Sequence, residues 1–389
     1  MKQQLFERLE KYNNEMIEIR RYLHQNPELS FKEFKTAAYI ENFYKQLGVE
    51  VKSGVGGNGV VAKIKGRKPG KTVALRADFD ALPIHEETNL PFRSLVPGVM
   101  HACGHDGHTA ILLILGKVLH EMRNGLAGEY VLIHQHAEEY APGGAIAMIE
   151  AGCLDGVDVI YGTHLWADTP YGTVEYRKGP IMAAADRFEI TIKGYGGHGA
   201  QPHKTKDAIV IGAQLIMNLQ QIVSRKVDPI DSAVLSIGSF ISDNAFNVIA
   251  DRATLIGTVR TFSEDVRGFM EDEIERVIKG TCLAAGCQYE YNYDRGYPAV
   301  VNHEKETDFL VTCAKEVTEI DTVAEGKPQM GGEDFAYYLQ HVNGTFFFTG
   351  AKPDNVEKTY PHHHPKFDIN EKSLLIAAKT LGLAALNSQ

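Results

Sequence analysis

The spacing of apolar residues divides the chain into three stretches. Near the start, Leu5, Leu9, Tyr12 and Met16 recur every three to four residues, which marks an amphipathic helix. The pattern predicts helices over 4–25 and 32–47. Apolar runs of strand length follow: Gly-Val-Val-Ala-Lys-Ile at 59–64, Thr-Val-Ala-Leu-Arg-Ala at 72–77, then 129–135 and 157–163. Helices are predicted between them at 107–122 and 143–151. Apolar strands separated by helices imply an α/β sheet covered on both faces, with a mixed but largely parallel order.

The period changes at about residue 184. A strand at 187–193 leads to a helix at 206–224, strands at 233–240 and 253–261, a helix at 264–285 and a strand at 287–293. This β-α-β-β-α-β order is ferredoxin-like, and it predicts a compact α+β insert over 184–294. The last stretch offers helices at 303–319, 333–340 and 370–386 and a strand at 344–349. It is expected to complete the first sheet, so that 1–183 and 295–389 form one discontinuous domain.

Composition narrows the function classes. The 389 residues carry 40 Lys and Arg against 50 Asp and Glu, a net charge of −10. That field repels phosphates, and no basic stripe offsets it, so nucleic acid is not an expected partner. Five cysteines, an odd number, do not describe a disulfide framework and fit a reducing compartment. The charged N-terminal stretch has no apolar signal-peptide core, and the longest apolar run, Thr109 to Leu115, is too short to span a bilayer. A soluble cytoplasmic protein without a membrane partner is expected.

Three predicted strands run into polar residues. The strand 72–77 leads to Asp78 and Asp80, 129–135 to His136, Glu138 and Glu139, and 157–163 to His164. In open α/β sheets, ligands bind beyond the carboxyl ends of strands. The segment Met100-His-Ala-Cys-Gly-His-Asp-Gly-His108 is the densest cluster. Cys103 and His105 can reach one centre from an extended loop, and thiolate with imidazole and carboxylate suits zinc, manganese, cobalt or nickel. The plainer alternative is a helix start capped by Asp106. Neighbours on an extended chain face opposite ways, so Glu138 and Glu139 cannot share one task. One can ligate while the other serves as general base. Tyr360-Pro-His-His-His-Pro-Lys-Phe367 reads as a rigid loop delivering a ligand, or as a surface histidine tract. In the insert, the glycines around His198 let it project freely or simply build a turn. Asn247 stands out in Phe246-Asn-Val-Ile249. Arg260 can grip a carboxylate bidentately or form an ordinary ion pair.

Several of these motifs occur together, in order, in one family. Arg76-Ala-Asp-Phe-Asp-Ala-Leu-Pro83, Met100 to His108, Glu138-Glu139 with Pro-Gly-Gly, Gly197-His198, Phe246-Asn-Val-Ile249, Gly332-Glu-Asp-Phe335 and His363-His-Pro-Lys-Phe367 span nearly the whole chain. By these motifs it resembles the dinuclear-metal amidohydrolases that include hippurate hydrolase, N-acyl-amino-acid aminoacylases and auxin-conjugate hydrolases. These are relatives of aminoacylase-1 and the glutamate carboxypeptidases. The resemblance implies a catalytic domain with two divalent ions and an inserted lid that also forms a homodimer or higher homo-oligomer. By motif position the metal ligands are Cys103, His105, Glu139, His164 and His363, with His362 and His364 as alternatives to the last. Glu138 is implied as general base, His198 as the oxyanion donor, Asn247, Arg260 and Gly332 as substrate contacts, and Asp78 as a residue behind the ligands. Arg76 stands where the wider superfamily has a metal-binding histidine, which leaves the bridging ligand open.

The implied reaction is hydrolysis of an N-acyl amino acid to a carboxylate and a free amino acid. Two other readings compete. One is a narrow biosynthetic deacetylase of an N-acetyl-diamino acid. The other is a non-catalytic, metal-stabilised protein that binds an acyl-amino acid, against which the Glu138-Glu139 pair argues.

Overall fold

The computed structural model describes residues 1–354 and 358–389. The chain forms two compact units. The larger comprises Met1–Ile181, Val300–Lys327 and Asp334–Gln389, the smaller Met182–Ala299 and Pro328–Glu333. The segments 182–183, 295–299 and 328–333, assigned from the sequence to the discontinuous domain, thus belong to the smaller unit.

The larger unit is built on an eight-stranded sheet ordered Glu50–Val55, Gly59–Lys65, Ala127–Gln135, Lys68–Asp78, Val159–Trp166, Gly344–Gly350, Thr173–Tyr176 and Thr322–Glu325. The central strands pair in parallel. The strands Gly59–Lys65 and Thr173–Tyr176 join it antiparallel. Central strands read as continuous apolar runs because both faces are covered; all seven residues of Gly344–Gly350 are buried. The helix His105–Met122 is buried along nearly its whole length, and Lys2–Lys11, Asn13–Gln25 and Ser373–Asn387 pack on it.

Some elements differ from the sequence expectation. The single helix expected over 4–25 is two, because Tyr12 leaves helical geometry at φ −98°, ψ 8°. Its hydroxyl bonds Glu121 at 2.6 Å, and Lys117 lies 4.0 Å above its ring. The helix expected over 303–319 ends at Ala314. The strands Glu50–Val55, Thr173–Tyr176 and Thr322–Glu325 carried no readable signal: the first is mostly exposed and the others have four residues each.

The smaller unit is a four-stranded antiparallel sheet ordered Ala233–Ile241, Arg252–Thr261, Ala184–Lys193 and Gln288–Tyr297. The helices Ala208–Arg225 and Glu264–Ala285 share its core, with Phe188, Ile190, Leu215 and Ile274 fully buried. Burial alternates strictly along Arg252–Thr261, as expected when one sheet face is covered. Asp207 caps the first helix by accepting from Ile209 and Val210, and Ser263 caps the second.

Candidate metal centre

The parallel register aligns three strand ends in the larger unit. Asp78 pairs with Gln135, and Arg76 lies opposite Gly162, two residues before His164. This juxtaposition brings together the carboxyl-end residues that the sequence singled out. Just before the helix His105–Met122, Gly104 takes a left-handed φ of 89°. A left-handed turn there suits glycine. Cys103 and His105 flank it.

The donor atoms of Cys103, His105 and His164 form one close group, those of Cys103, Glu139 and His363 a second, and those of His105, Glu138 and Glu139 a third. The Cys103 sulfur lies 3.4 Å from His164 Nε2. His363 Nε2 lies 3.2 Å from the Glu139 carboxylate. The two other histidines of the triplet are engaged elsewhere. His362 Nε2 donates to the Leu165 carbonyl at 3.1 Å, and His364 Nδ1 accepts from the Lys366 amide. Of the three, geometry brings His363 to the cluster. It does so from a left-handed backbone, φ 67°.

The imidazoles are held with one nitrogen facing inward. His105 Nδ1 lies 3.0 Å from the Asp80 carbonyl and 3.2 Å from its carboxylate, both acceptors, so this nitrogen carries the proton. That turns Nε2 toward the cluster. It is buried without a hydrogen-bond partner among the described residues, 3.7–3.9 Å from the carboxylates of Asp78, Glu138 and Glu139. His164 donates Nδ1–H to the Leu165 carbonyl at 2.9 Å, which turns its Nε2 toward Cys103. An imidazole oriented through its second nitrogen is what metal-ligating histidines show.

Asp78 has a different neighbourhood from Asp80. It accepts from His108 Nδ1 at 2.7 Å and from Arg76 at 2.7 Å. His108 Nε2 in turn accepts the Leu165 amide. Thus Asp80, singled out at a strand end but given no specific role by the resemblance, holds His105, while Asp78 bonds Arg76 and His108. Arg76 is buried, and its guanidinium also reaches Asp334 and Gln135.

Electrostatics favour a cation at this point. Burial pushes the Cys103 thiol well above its ordinary range, and the Glu139, Glu138 and Asp78 carboxylates push it further. A thiolate there requires a compensating positive charge. Burial lowers His105, but Asp78, Asp80 and Glu139 override it and raise it to about 10. Burial, with His108 and His362 nearby, holds His164 well below its usual value, so it is a neutral donor. A buried thiol, imidazoles and carboxylates converging around an orphaned nitrogen fit a divalent transition metal and not a closed structural tetrad.

Behind the cluster lies a second charged layer that the sequence reading missed. Asp106 accepts from Arg20 at 2.9 Å and His24 at 2.8 Å, all buried, so it does not serve as the helix cap. The readable signal was Arg20 on the same helix face as Met16 and Leu23.

The remaining candidates lie in the smaller unit. His198 and Asn247 are exposed on adjoining segments: His198 pairs with Val248, and the Asn247 carbonyl accepts the Gly199 amide at 2.7 Å. Arg260 is half-buried on its strand; its guanidinium donates to the Val259 carbonyl at 3.2 Å, and burial lowers its pKa. Gly332 packs so closely that a Cβ there would meet Ala185 at 2.9 Å.

Several known proteins are similar to this chain. The model of a family described as Peptidase family M20/M25/M40 matches residues 74–387. YhaA of Bacillus subtilis (strain 168), which carries an amidohydrolase name, is 63% identical over 96% of this chain and 94% of its own length. The N-acyl-L-amino acid amidohydrolase of Geobacillus stearothermophilus is 47% identical over 78% of this chain and 82% of its own. Among solved structures, the Bacillus subtilis YXEP protein, a dinuclear metal-binding M20 peptidase, superposes with a TM-score of 0.85. It shares 37% identity over 97% of this chain and 98% of that one.

Proposed function

The chain belongs to peptidase family M20/M25/M40, an amidohydrolase lineage, and on that premise we propose that it hydrolyses the amide bond of N-acyl amino acids. The observation that carries this reading is the convergence of Cys103, His105, Glu139, His164 and His363 beside Glu138 within one unit. Two of the donor groups together contain all five side chains, so these are the residues that would hold two divalent ions. Bound there, ions of zinc, manganese, cobalt or nickel class would supply Lewis acidity toward the scissile carbonyl and a water of lowered pKa.

The protein's own residues supply the rest. Glu138 is 6% exposed and follows a strand that fixes its approach. It takes the proton of the attacking water and returns it to the leaving amine. His198, by motif position, donates to the developing oxyanion, a contact worth about 3 kcal/mol when aligned. Arg260, Asn247 and Gly332 are assigned to the substrate's carboxylate and amide. Among the described residues no helix is long and apolar enough to cross a membrane.

We also assign homodimerisation to the smaller unit. Its edge strand Ala233–Ile241 pairs on one side only, and Val210 and Met217 are exposed on the helix Ala208–Arg225. A monomer in light scattering at working concentration contradicts this.

The reaction is tested by amine release from N-acetyl- and N-benzoyl-amino acids with and without chelator. Metal-dependent release supports it. A folded, metal-loaded protein that binds these compounds and releases nothing returns the case to a binding protein. Release confined to N-acetyl-diamino acids selects the narrow deacetylase.

A further inference from the structure

The backbone around Glu138 is strained and held from both sides. Among the described residues other than glycine, three have a left-handed φ: Phe31 at 64°, Ala137 at 52° and His363 at 67°. Such residues persist where surrounding contacts over-determine them, and they cluster at functional sites. Ala137 immediately precedes Glu138. Its amide donates at 2.8 Å to Glu33 Oε1, and the Glu139 amide donates at 2.9 Å to Asp80 Oδ2. A buried carboxylate therefore grips the N–H on each side of Glu138.

Asp80 also touches His105, so its role extends to a candidate ligand. Glu33 does not. Its side chain is fully buried and accepts from Ala137 and from Asn58 Nδ2 at 2.9 Å. Glu33 stands at the N-terminus of the helix Phe34–Leu47, yet its side chain makes no capping bond there. Glu28 takes that task, accepting the Thr36 amide at 2.8 Å. A carboxylate withdrawn from helix capping and buried against one strained amide has a cost that local stability does not explain. Ser30, in the same loop, donates to Asp80 at 2.7 Å, so one segment supports both grips.

We propose that Glu33 is a positioning residue that holds the left-handed turn at Ala137 and thereby aims Glu138 at the reacting water. It touches neither substrate nor any candidate metal ligand. Without the bond, the turn relaxes toward ordinary right-handed or extended backbone, and the Glu138 carboxylate moves off line. A displacement of about 1 Å costs on the order of 10²-fold in rate.

This rests on Glu138 acting as base, so the test has one arm that involves no reaction. In that arm, amide hydrogen exchange is followed in the full chain for wild type, Glu33→Ala and Glu33→Gln. We expect faster exchange at Ala137 in Glu33→Ala, with the sheet amides unchanged, and near-native exchange in Glu33→Gln, whose amide oxygen still accepts. In the other arm, steady-state kinetics and chelator competition are measured on the metal-loaded enzymes. We expect a fall in kcat of about 10–100-fold for Glu33→Ala, with KM and metal affinity within about twofold of wild type. Adding Ala137→Gly to Glu33→Ala should recover part of kcat, because glycine adopts positive φ without strain.

Unchanged exchange at Ala137 overturns the grip. Native kcat in Glu33→Ala, or metal affinity falling in step with kcat, overturns the positioning role. If Glu33→Ala fails to fold, Glu33→Asn, whose side chain is one methylene too short to reach the Ala137 amide, carries the same comparison: faster exchange at Ala137 with lowered kcat supports the grip, and wild-type exchange and kcat overturn it. A wild-type enzyme with no amide hydrolysis removes the reaction reading, and the exchange arm still decides the grip.

Discussion

The two units present their polar residues in opposite ways. In the larger one, His105 and His164 are nearly inaccessible, each imidazole is fixed through one nitrogen, and carboxylates crowd a nitrogen that has no hydrogen bond. In the smaller one, His198 and Asn247 stand in solvent on short paired segments. A strongly buried charge pair there, Arg267 with Asp186, lies among core elements at 2.6 Å. A preorganised buried cluster suits a resident ion, because the desolvation cost is met once, on folding. Exposed donors on glycine-rich turns suit a transient partner such as substrate. On the proposed reading, the larger unit holds the metal ligands and the base, and the smaller unit contributes exposed groups that meet the substrate.

The largest effect expected from breaking that division is at Glu138. Glu138→Gln keeps size and fold but cannot take a proton, so turnover should fall by about 10²–10⁴-fold with metal content unchanged. Retained turnover would contradict its assignment. Next, His198→Ala should lower kcat by about 10²–10³-fold while leaving metal affinity and thermal stability at wild-type values, since the side chain is exposed. A loss of metal in this variant would blur the contrast between the units.

Asp80→Asn ranks third. It weakens the hold on His105 Nδ1 and should reduce metal affinity by about 10–100-fold in chelator competition, more than Asp78→Asn does. The reverse order would restore Asp78 as the support that the sequence implied.

These cases show what was legible and what was not. Each strand-end motif lies at the end of a local apolar run, so the run and its terminal residue could be read together. The α/β sheet, the inserted order of elements and the strand-end residues were therefore visible, while the ligand set from Cys103 to His363 came from the family resemblance. Glu33 and His24 were not, and Arg20 showed only as a charge on an apolar helix face. Their partners are 104, 82 and 86 residues away, and their role appears only when separate elements pack. Motif position favoured His363 over His362 and His364, but the left-handed backbone that presents it was not readable from the residues.

The smallest expected effect concerns that hidden layer. Burial lowers the pKa of His24, but hydrogen bonds to Asp106 and Glu86 outweigh it and leave it raised. A group with a raised folded pKa adds stability that is complete below its unfolded value near ~6.5 and is lost as pH rises through the folded value. The melting temperature of wild type relative to His24→Gln should therefore decline on the alkaline side of neutrality. A flat difference across that window would show that His24 is neutral when folded.

The central claim is that the buried cluster holds the ions that make Glu138 a hydrolytic base. The most direct measurement follows amine release from an N-acyl amino acid while metal is removed by chelator and restored by manganese, zinc, cobalt or nickel. The account predicts that release and bound metal vanish and return together in wild type, and that Cys103→Ser weakens both. Release that persists in metal-free protein, or full metal content in a Cys103→Ser, His105→Ala double variant, would contradict it.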